Sequence, residues 1–247
     1  MQEFDLTVIG SGPGGYTAAI RAAQLGFKTA IIERDKLGGV CLNWGCIPTK
    51  ALLKSAEVMN KISHLDDLGL KAQEIGFDFP KIIERSRDVA DASEKGVKYL
   101  MKKNKITVIE GSAKFGKDKI ISVSDKTGKE IDKVKSKHTI IATGARARKL
   151  PGVEFDEKKI LSSTGALIMK EVPKSMVIVG SGAIGAEFAY FYNAFGTDIT
   201  IIEMLPTILP VEDKDISDVV AREFKNSGIK IYTESKTEEV KIKGIKV

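Results

Sequence analysis

Two glycine-rich stretches, 170 residues apart, follow one shared pattern and constrain the fold more than any other feature of the chain. The first, G-S-G-P-G-G at residues 10–15, follows a short apolar run, and the second, G-S-G-A-I-G at residues 180–185, follows another. After each come a stretch of helical periodicity, a glycine, an apolar run and an acid, Glu33 or Glu203. This order predicts a strand, turn, helix and second strand ending in a carboxylate, twice in one chain.

Each part of this pattern has a mechanical role in holding a dinucleotide. The glycines allow a tight turn, a close approach of the backbone to a pyrophosphate and close packing of helix on strand, while the acid can bind ribose hydroxyls. One copy alone is also compatible with an ordinary glycine turn, but two copies in register favour binding. We therefore predict two dinucleotide sites, the first formed by Gly10, Gly12, Gly14, Gly15 and Glu33 and the second by Gly180, Gly182, Gly185 and Glu203.

The only two cysteines of the chain, Cys41 and Cys46, are five positions apart. On an ideal helix their Cα atoms would be roughly 8.6 Å apart, whereas a disulfide needs a separation below about 7 Å. The two sulfurs can therefore bond only if the backbone between them is distorted, which Gly45 permits. Lys50, four residues after Cys46, would favour a thiolate from the same helical face. Two inert thiols are the alternative for a cysteine pair of this spacing.

Composition argues against several other classes of function. The net charge is +6, but the lysines are spread along the chain and alternate at Lys133, Lys135 and Lys137, which is typical of the solvated face of a strand. We therefore expect no nucleic-acid site. No apolar run is long enough to span a membrane, and neither His64 nor His138 has a partner that would suggest a metal site. Cysteines confined to one motif suit a reducing compartment, so we expect a cytoplasmic protein without a leader peptide.

The fold expected from these patterns is α/β, with two Rossmann-like dinucleotide-binding domains of parallel sheet and helices. Between the fingerprints, residues 51–104 read mainly as helices with a polar loop near residues 63–80. Residues 106–137 alternate and predict a small antiparallel meander, and an apolar strand follows at residues 139–145. A Pro-Gly pair then indicates a linker. We expect domains at residues 1–147 and 148–247, the second of them incomplete.

The stretch G-G-V-C-L-N-W-G-C-I-P-T-K at residues 38–50 resembles the redox-active signature of the flavin disulfide reductases. Within that group the chain is most similar to the dihydrolipoamide dehydrogenases, the E3 components of the 2-oxo acid dehydrogenase complexes. Two shorter stretches also resemble the family: A-T-G at residues 142–144, where the chain leaves the flavin domain, and G-S-A-K-F at residues 111–115, near the adenine of FAD. The resemblance runs from residue 4 to residue 247.

This resemblance implies roles for individual residues. Cys46 would face the flavin and Cys41 would exchange with the substrate disulfide, while Lys50 would lie near the flavin and pair with Glu187. The first fingerprint would bind FAD and the second NAD, since the carboxylate of Glu203 repels the 2′-phosphate of NADP. The remaining expected contacts are Ala113, Thr143 and Gly144 to FAD and Thr237 to the adenine of NAD.

The reaction implied is oxidation of protein-bound dihydrolipoamide to lipoamide, with electrons passing through the Cys41–Cys46 disulfide and FAD to NAD. The partners implied are the lipoyl-bearing E2 components and the lipoyl protein of glycine cleavage, and the full-length relative is a homodimer. Mercuric reductase or another disulfide reductase is the alternative enzyme. The family continues for roughly as many residues again, including a dimerisation domain with a catalytic His-Glu pair. We therefore expect this chain alone to be a catalytically incompetent nucleotide-binding fragment that self-associates through uncovered apolar surface or is poorly stable.

Overall fold

Strand β1 (Gln2–Ile9) is in the interior of a six-stranded sheet, in the order β3-β2-β1-β6-β5-β4. The structure is a computed structural model that describes residues 1–71 and 73–241. The other strands are β2 (Thr29–Glu33), β3 (Thr107–Glu110), β4 (Ser112–Phe115), β5 (Ile120–Ser124) and β6 (Glu130–Ile141). β1 pairs in parallel with both β2 and β6, so the first fingerprint follows a strand that has neighbours on both sides.

The antiparallel part of this sheet is smaller than the sequence predicted. Strands β4, β5 and β6 form the expected meander, but β3 pairs in parallel with β2 instead. A separate strand was expected at residues 139–145, but residues 139–141 are the end of β6, because no glycine or proline interrupts the chain after the meander. Residues 142–145 lie outside any strand. β6 first pairs antiparallel with β5 and then continues in parallel beside β1.

The lysine alternation on β6 is confirmed as a solvated face. Lys133, Lys135 and Lys137 are exposed, whereas Val134 and Ser136 between them are buried. The parallel strand β2 instead buries both of its faces, since all five of its residues are buried. Ile31 packs in one apolar cluster, and its neighbours Ala30 and Ile32 pack in another.

Four helices connect or flank these strands: α1 (Pro13–Gln24), α2 (Gly39–Trp44), α3 (Cys46–Ser63) and α4 (Phe79–Lys103). Residues 51–104 were expected to be mainly helical with a polar loop near residues 63–80, and α3 and α4 confirm that expectation. The contacts divide the chain into two units: unit 1 is residues 1–48 and 87–146, and unit 2 is residues 49–86 and 147–247. The assignment of residues 1–147 and 148–247 to an FAD and an NAD domain stays a prediction.

Unit 2 contains a three-stranded parallel sheet in the order β7-β8-β9. Its strands are β7 (Ser175–Val179), β8 (Asp198–Ile202) and β9 (Lys230–Tyr232). Its further helices are α5 (Ser163–Ile168), α6 (Ala183–Ala194) and α7 (Lys214–Asn226). The second fingerprint thus joins β7 to α6, as the first joins β1 to α1.

An aromatic cluster fills the core of unit 2. Phe188, Phe191 and Tyr192 of α6 are buried. The rings of Phe191 and Tyr192 contact Phe79, and the ring of Phe188 contacts Tyr192. The Tyr192 hydroxyl donates to the Ala166 carbonyl at 2.6 Å.

The periodicity of the sequence predicts one apolar stripe on this helix, formed by Ile184, Phe188, Phe191 and Phe195, but Ile184 is 59% exposed. That part of the prediction is wrong, because in the first turn of α6 it is the next residue, a glycine, that packs against the preceding turn.

Apolar side chains are also exposed on the edge strand β7, where Val177 and Val179 are 60% and 43% exposed. Self-association through such surface stays a prediction. None of the helices in the described part of the chain is both long and apolar enough to cross a bilayer.

Candidate redox and dinucleotide sites

The two cysteines form a disulfide across a break between two helices. α2 ends at Trp44 and α3 begins at Cys46, with Gly45 between them. The break brings the Cα atoms of Cys41 and Cys46 to 4.8 Å, well inside the range for a disulfide. A Cβ atom on Gly45 would lie 3.1 Å from the Val40 carbonyl oxygen. The predicted distortion at Gly45 is therefore confirmed, and the glycine also leaves room for the helix that precedes it.

The side chain of Asn43 fixes the start of the short helix α2. Its amide nitrogen donates to the carbonyl oxygens of Leu37 at 2.9 Å and of Gly39 at 3.0 Å. Asn43 is almost fully buried, while Cys41 is half-buried and Cys46 is exposed. The disulfide is therefore part of an ordered segment in which Cys46 is accessible and Cys41 is partly accessible, and exchange with an external thiol requires such access.

The first fingerprint has two glycines that cannot carry a side chain and two that face open space. A Cβ on Gly10 would lie 2.3 Å from the Ala142 carbonyl oxygen, and one on Gly15 would lie 2.0 Å from that of Gly10. By contrast, no atom lies within 4 Å of a Cβ built on Gly12 or Gly14. Because α1 begins directly after Gly12, this open space lies at a helix N-terminus, where an anionic pyrophosphate fits.

The carboxylate of Glu33 is held in place at the end of β2. One oxygen accepts from the Ser11 backbone N–H at 2.8 Å and from the Ser11 hydroxyl at 2.6 Å. The other oxygen accepts from the Asp35 N–H at 3.0 Å. Each oxygen has two lone pairs, so at least the second keeps capacity to bind a ribose hydroxyl. The structure thus places Glu33 beside the fingerprint as an oriented acceptor.

The second fingerprint repeats this geometry in unit 2. A Cβ on Gly185 would lie 2.2 Å from the Gly180 carbonyl oxygen, whereas one on Gly182 would meet nothing within 4 Å. Gly180 has a φ of 95°, the same value as its counterpart in the first fingerprint. α6 begins directly after Gly182, so this unit also presents a helix N-terminus with space in front of it.

Glu203 is 7% exposed, and hydrogen bonds hold its carboxylate in the same way as that of Glu33. One oxygen accepts from the N–H and the hydroxyl of Ser181, both at 2.8 Å, and the other accepts from the Leu205 N–H at 2.9 Å. Burial alone would raise the pKa of Glu203, but these hydrogen bonds outweigh it and hold the pKa below its ordinary value. The group is therefore a carboxylate at neutral pH, which disfavours a ligand with a 2′-phosphate.

Ser11 and Ser181 are functional candidates that sequence reasoning missed. Both are fully buried, and each donates two hydrogen bonds to the acid of its own fingerprint. A signal was present, because the two serines occur at the same position of both fingerprints. In each unit the serine fixes the rotamer of an acid that lies 22 residues further along the chain.

Thr237 lines an open cleft of about 510 Å³ in unit 2, together with residues that include Thr200, Tyr232 and Ser235. Its hydroxyl oxygen is buried without a hydrogen-bond partner among the described residues. An unpartnered polar atom of this kind is costly unless a ligand or water satisfies it. The cleft therefore fits a polar ligand, although the expected contact of Thr237 with adenine stays a prediction.

The remaining candidate residues lie at defined places in their units. Lys50 on α3 forms an ion pair with Glu187 on α6, and their side chains are 62% and 24% exposed. Ala113 lies on β4 and is half-buried, while Thr143 and Gly144 follow β6 and are exposed. The structure thus brings together the Lys50–Glu187 pair. The catalytic and cofactor roles of all five residues stay predictions.

Curated relatives of this chain include dihydrolipoyl dehydrogenases. The chain is 47% identical to the enzyme of Rhizobium etli over 97% of its own length and 53% of the relative's length. It is 50% identical to that of Zymomonas mobilis over 94% and 50% of the two lengths. The chain therefore spans about half the length of the curated relatives it matches.

Solved structures and a family model agree with these relatives. LpdA from Mycobacterium tuberculosis superposes with a TM-score of 0.84 at 25% identity, covering 95% of this chain and 51% of that protein. The flavoprotein disulfide reductase RclA from Escherichia coli, as its Cu(II) complex, gives 0.81 at 30% identity over 98% and 51%. The model of the pyridine nucleotide-disulphide oxidoreductases matches residues 4–247. This chain belongs to the pyridine nucleotide-disulphide oxidoreductase family and is a homologue of dihydrolipoyl dehydrogenase.

Proposed function

We propose that this chain is the part of a dihydrolipoyl dehydrogenase that binds FAD and NAD and carries the redox-active disulfide. The observation that carries the proposal is the Cys41–Cys46 disulfide. It occurs in a chain that has two open glycine fingerprints and is 47% and 50% identical to two of these enzymes over about half of their length. The reaction is oxidation of the dithiol of dihydrolipoamide to the cyclic disulfide of lipoamide.

The residues of the chain fit the two cofactors. FAD would be held by Gly10, Gly12, Gly14, Gly15 and Glu33, with Ala113, Thr143, Gly144 and Lys50 as further contacts. NAD would be held by Gly180, Gly182, Gly185, Glu203 and Thr237. The fit rests on the open space at Gly12 and Gly182, the oriented carboxylates and the unpartnered hydroxyl of Thr237.

The cysteines perform thiol–disulfide exchange. One thiolate of dihydrolipoamide attacks the sulfur of Cys41, so that the Cys41–Cys46 bond breaks and Cys46 leaves as a thiolate. The second substrate thiol then attacks the mixed disulfide, which releases lipoamide and leaves Cys41 reduced. Two electrons and the proton of the second thiol have then passed from substrate to protein, which leaves Cys41 as a thiol and Cys46 as a thiolate. When bound, FAD and NAD supply the two-electron chemistry that returns the cysteine pair to the disulfide.

The ion pair of Lys50 with Glu187 positions a cation on the helix that begins at Cys46. A cation in that place stabilises the thiolate form of a neighbouring cysteine. We propose that Lys50 serves this purpose and that Glu187 fixes its orientation, since a lysine side chain has many rotamers.

The nucleotide preference follows from the second acid. Glu203 is held as a carboxylate at the end of β8, where a 2′-phosphate would meet its negative charge. We therefore propose NAD rather than NADP as the acceptor. The proposed partners are a lipoyl-bearing E2 component, the lipoyl protein of glycine cleavage and a second copy of the full-length protein, in the cytoplasm.

A single-turnover assay tests this function. FAD-loaded chain is mixed anaerobically with dihydrolipoamide and NAD⁺, and NADH is measured by absorbance. We expect up to one NADH per chain and no sustained turnover, with little product from NADP⁺ and none from the Cys41→Ser variant. Equal NADH formation by Cys41→Ser, or none by a flavin-loaded wild type, would refute the proposal.

Another disulfide reductase is the second candidate, because RclA, a flavoprotein disulfide reductase, superposes over almost the whole chain. The same protein can be supplied with NADH or NADPH and with Hg²⁺ or lipoamide as the oxidant. Oxidation of NADPH driven by Hg²⁺, without any reaction with lipoamide, would favour this alternative.

A further inference from the structure

Arg87 reaches from α4 to Asn43 and Trp44, the last two residues of α2, which is the helix that contains Cys41. Its guanidinium carbon lies 4.8 Å from the centroid of the Trp44 ring, and its Nη2 donates to the Asn43 carbonyl oxygen. Asn43 and Trp44 both lie between the two cysteines in the sequence. One side chain therefore makes two contacts with the loop that the disulfide closes.

We propose that Arg87 is a positioning residue that holds the Cys41–Cys46 loop in the conformation in which the two thiols meet. The proposal concerns the stability of this disulfide, and it rests on the proposed function only in treating the pair as redox-active. Its test needs neither flavin nor nicotinamide.

The need for such a contact follows from the length of α2. This helix has six residues and ends at Trp44, with Gly45 directly after it, so its last carbonyl groups have no partner within the helix. Asn43 supplies one of these carbonyls, and Arg87 donates to it from a different helix. A cation at this end is also favourable for the helix dipole. Arg87 thus donates, from another helix, a hydrogen bond to a carbonyl that has no partner within α2.

Partial burial of the Arg87 side chain costs free energy, which indicates that its contacts with α2 contribute to the structure. The side chain is half-buried, and its Nη1 is buried without a hydrogen-bond partner among the described residues. Burial lowers the pKa of the Arg87 guanidinium, while the charge of Asp91 acts in the opposite direction. Asp91 is itself bound to Lys36 at 3.1 Å. Arg87 has therefore exchanged water for the face of Trp44 and the carbonyl of Asn43.

A lysine could not replace these contacts. The planar guanidinium can stack on an aromatic ring while donating in its own plane, whereas an ammonium is a compact point charge. This difference separates two explanations of any effect of Arg87 on the disulfide. If the guanidinium holds the loop by its two contacts, Arg87→Lys releases the loop. If Arg87 acts only as a positive charge that stabilises a thiolate, Arg87→Lys retains that effect.

The experiment is an equilibrium of the 247-residue chain with reduced and oxidised dithiothreitol, without added flavin. Dithiothreitol gives two electrons and two protons to the Cys41–Cys46 disulfide, which becomes two thiols, and itself becomes a cyclic disulfide. Rapid alkylation then counts free thiols by mass. Replacing Arg87 removes a cation–π contact and a charge-assisted hydrogen bond, so the equilibrium constant for formation of the Cys41–Cys46 disulfide should fall about tenfold. A tenfold change raises the reduction potential by about 30 mV.

We expect this shift for both Arg87→Lys and Arg87→Met. The matched controls are Arg85→Lys and Arg85→Met, on the same helix, where the guanidinium donates to the Ala51 carbonyl instead. These controls should stay within about twofold of wild type. An unchanged potential in Arg87→Met, or a wild-type potential in Arg87→Lys with a shift in Arg87→Met, would overturn the proposal.

A second variant keeps the test independent of folding at position 87. Trp44→Leu removes the stacked ring but leaves the Asn43 carbonyl, so it should shift the equilibrium in the same direction by a few-fold. A Trp44→Leu protein with a wild-type potential would contradict the inference even if the Arg87 variants do not fold. Failure of NADH formation in the single-turnover assay would refute the proposed function while leaving this equilibrium unaffected.

Discussion

Gly182 and Gly185 occupy the same fingerprint but meet opposite surroundings, so alanine at each position has a different expected effect. A Cβ on Gly185 would lie 2.2 Å from the Gly180 carbonyl oxygen and 3.3 Å from a methyl group of Ile178. Ordinary contacts between such atoms are about 3.5 Å, so α6 must move by about 1 Å relative to the turn. We expect Gly185→Ala to reduce the free energy of unfolding by about 1–3 kcal/mol, the usual cost of overpacking.

Gly182→Ala should leave stability almost unchanged. Its Cβ meets nothing within 4 Å, and its φ of −64° is one that alanine readily adopts. Replacing glycine lowers the conformational entropy of the unfolded chain, which stabilises the fold by about 0.4–1 kcal/mol. This roughly offsets the poorer helix cap that alanine makes. The new methyl group does occupy the space in front of the helix N-terminus, where we propose that the pyrophosphate of NAD binds.

Two measurements separate these effects. Urea unfolding gives the free energy of unfolding, and titration calorimetry with NADH gives the dissociation constant. We expect Gly182→Ala to be as stable as wild type within about 0.5 kcal/mol and to bind NADH at least about tenfold more weakly. A Gly182→Ala protein with wild-type NADH affinity, or a Gly185→Ala protein with wild-type stability, would refute the reasoning.

Two further predictions concern unit 2. Tyr192→Phe keeps the buried ring but leaves the Ala166 carbonyl without its donor, so it should lower the free energy of unfolding in urea by about 1–2 kcal/mol. The control Tyr99→Phe changes a residue that is 63% exposed and should cause no measurable loss. Equal effects of the two substitutions would contradict the packing described. Glu203→Gln should destabilise the protein by about 1–3 kcal/mol at pH 7, because the new amide points hydrogens at backbone donors. The folded pKa of Glu203 lies below the reference value of 4.5, so its carboxylate stabilises the protein above pH 4.5 and that contribution is lost as the pH falls through the folded pKa. The difference between wild type and Glu203→Gln should therefore shrink below pH 4.5, and a difference that grows on acidification would contradict this account.

Local patterns were sufficient to predict both fingerprints and the break at Gly45. Their signals depend on neighbours within a few residues: glycines at fixed spacing, an apolar run before them, and two cysteines too far apart for an unbroken helix. The structure confirms the strands and helices at both fingerprints and the disulfide across the break.

Contacts between distant parts of the chain were not predictable in this way. Arg87 is 44 residues from the carbonyl to which it donates, and no periodicity of α4 indicates that its side chain meets Trp44. The parallel pairing of β3 with β2 was missed for the same reason, because an alternating run of four residues does not specify its partner strand. Ser11 and Ser181 are an intermediate case, since their repetition was visible but their acceptors were not.

In the proposed function, one chain couples a bound flavin to the Cys41–Cys46 disulfide. The direct test is the visible absorption spectrum of the purified, FAD-reconstituted chain, recorded before and after anaerobic addition of dihydrolipoamide, for wild type and Cys46→Ser. We predict one FAD per chain and a spectral change in wild type that Cys46→Ser lacks. A chain that retains no FAD, or a spectral change that is the same in both proteins, would contradict the account.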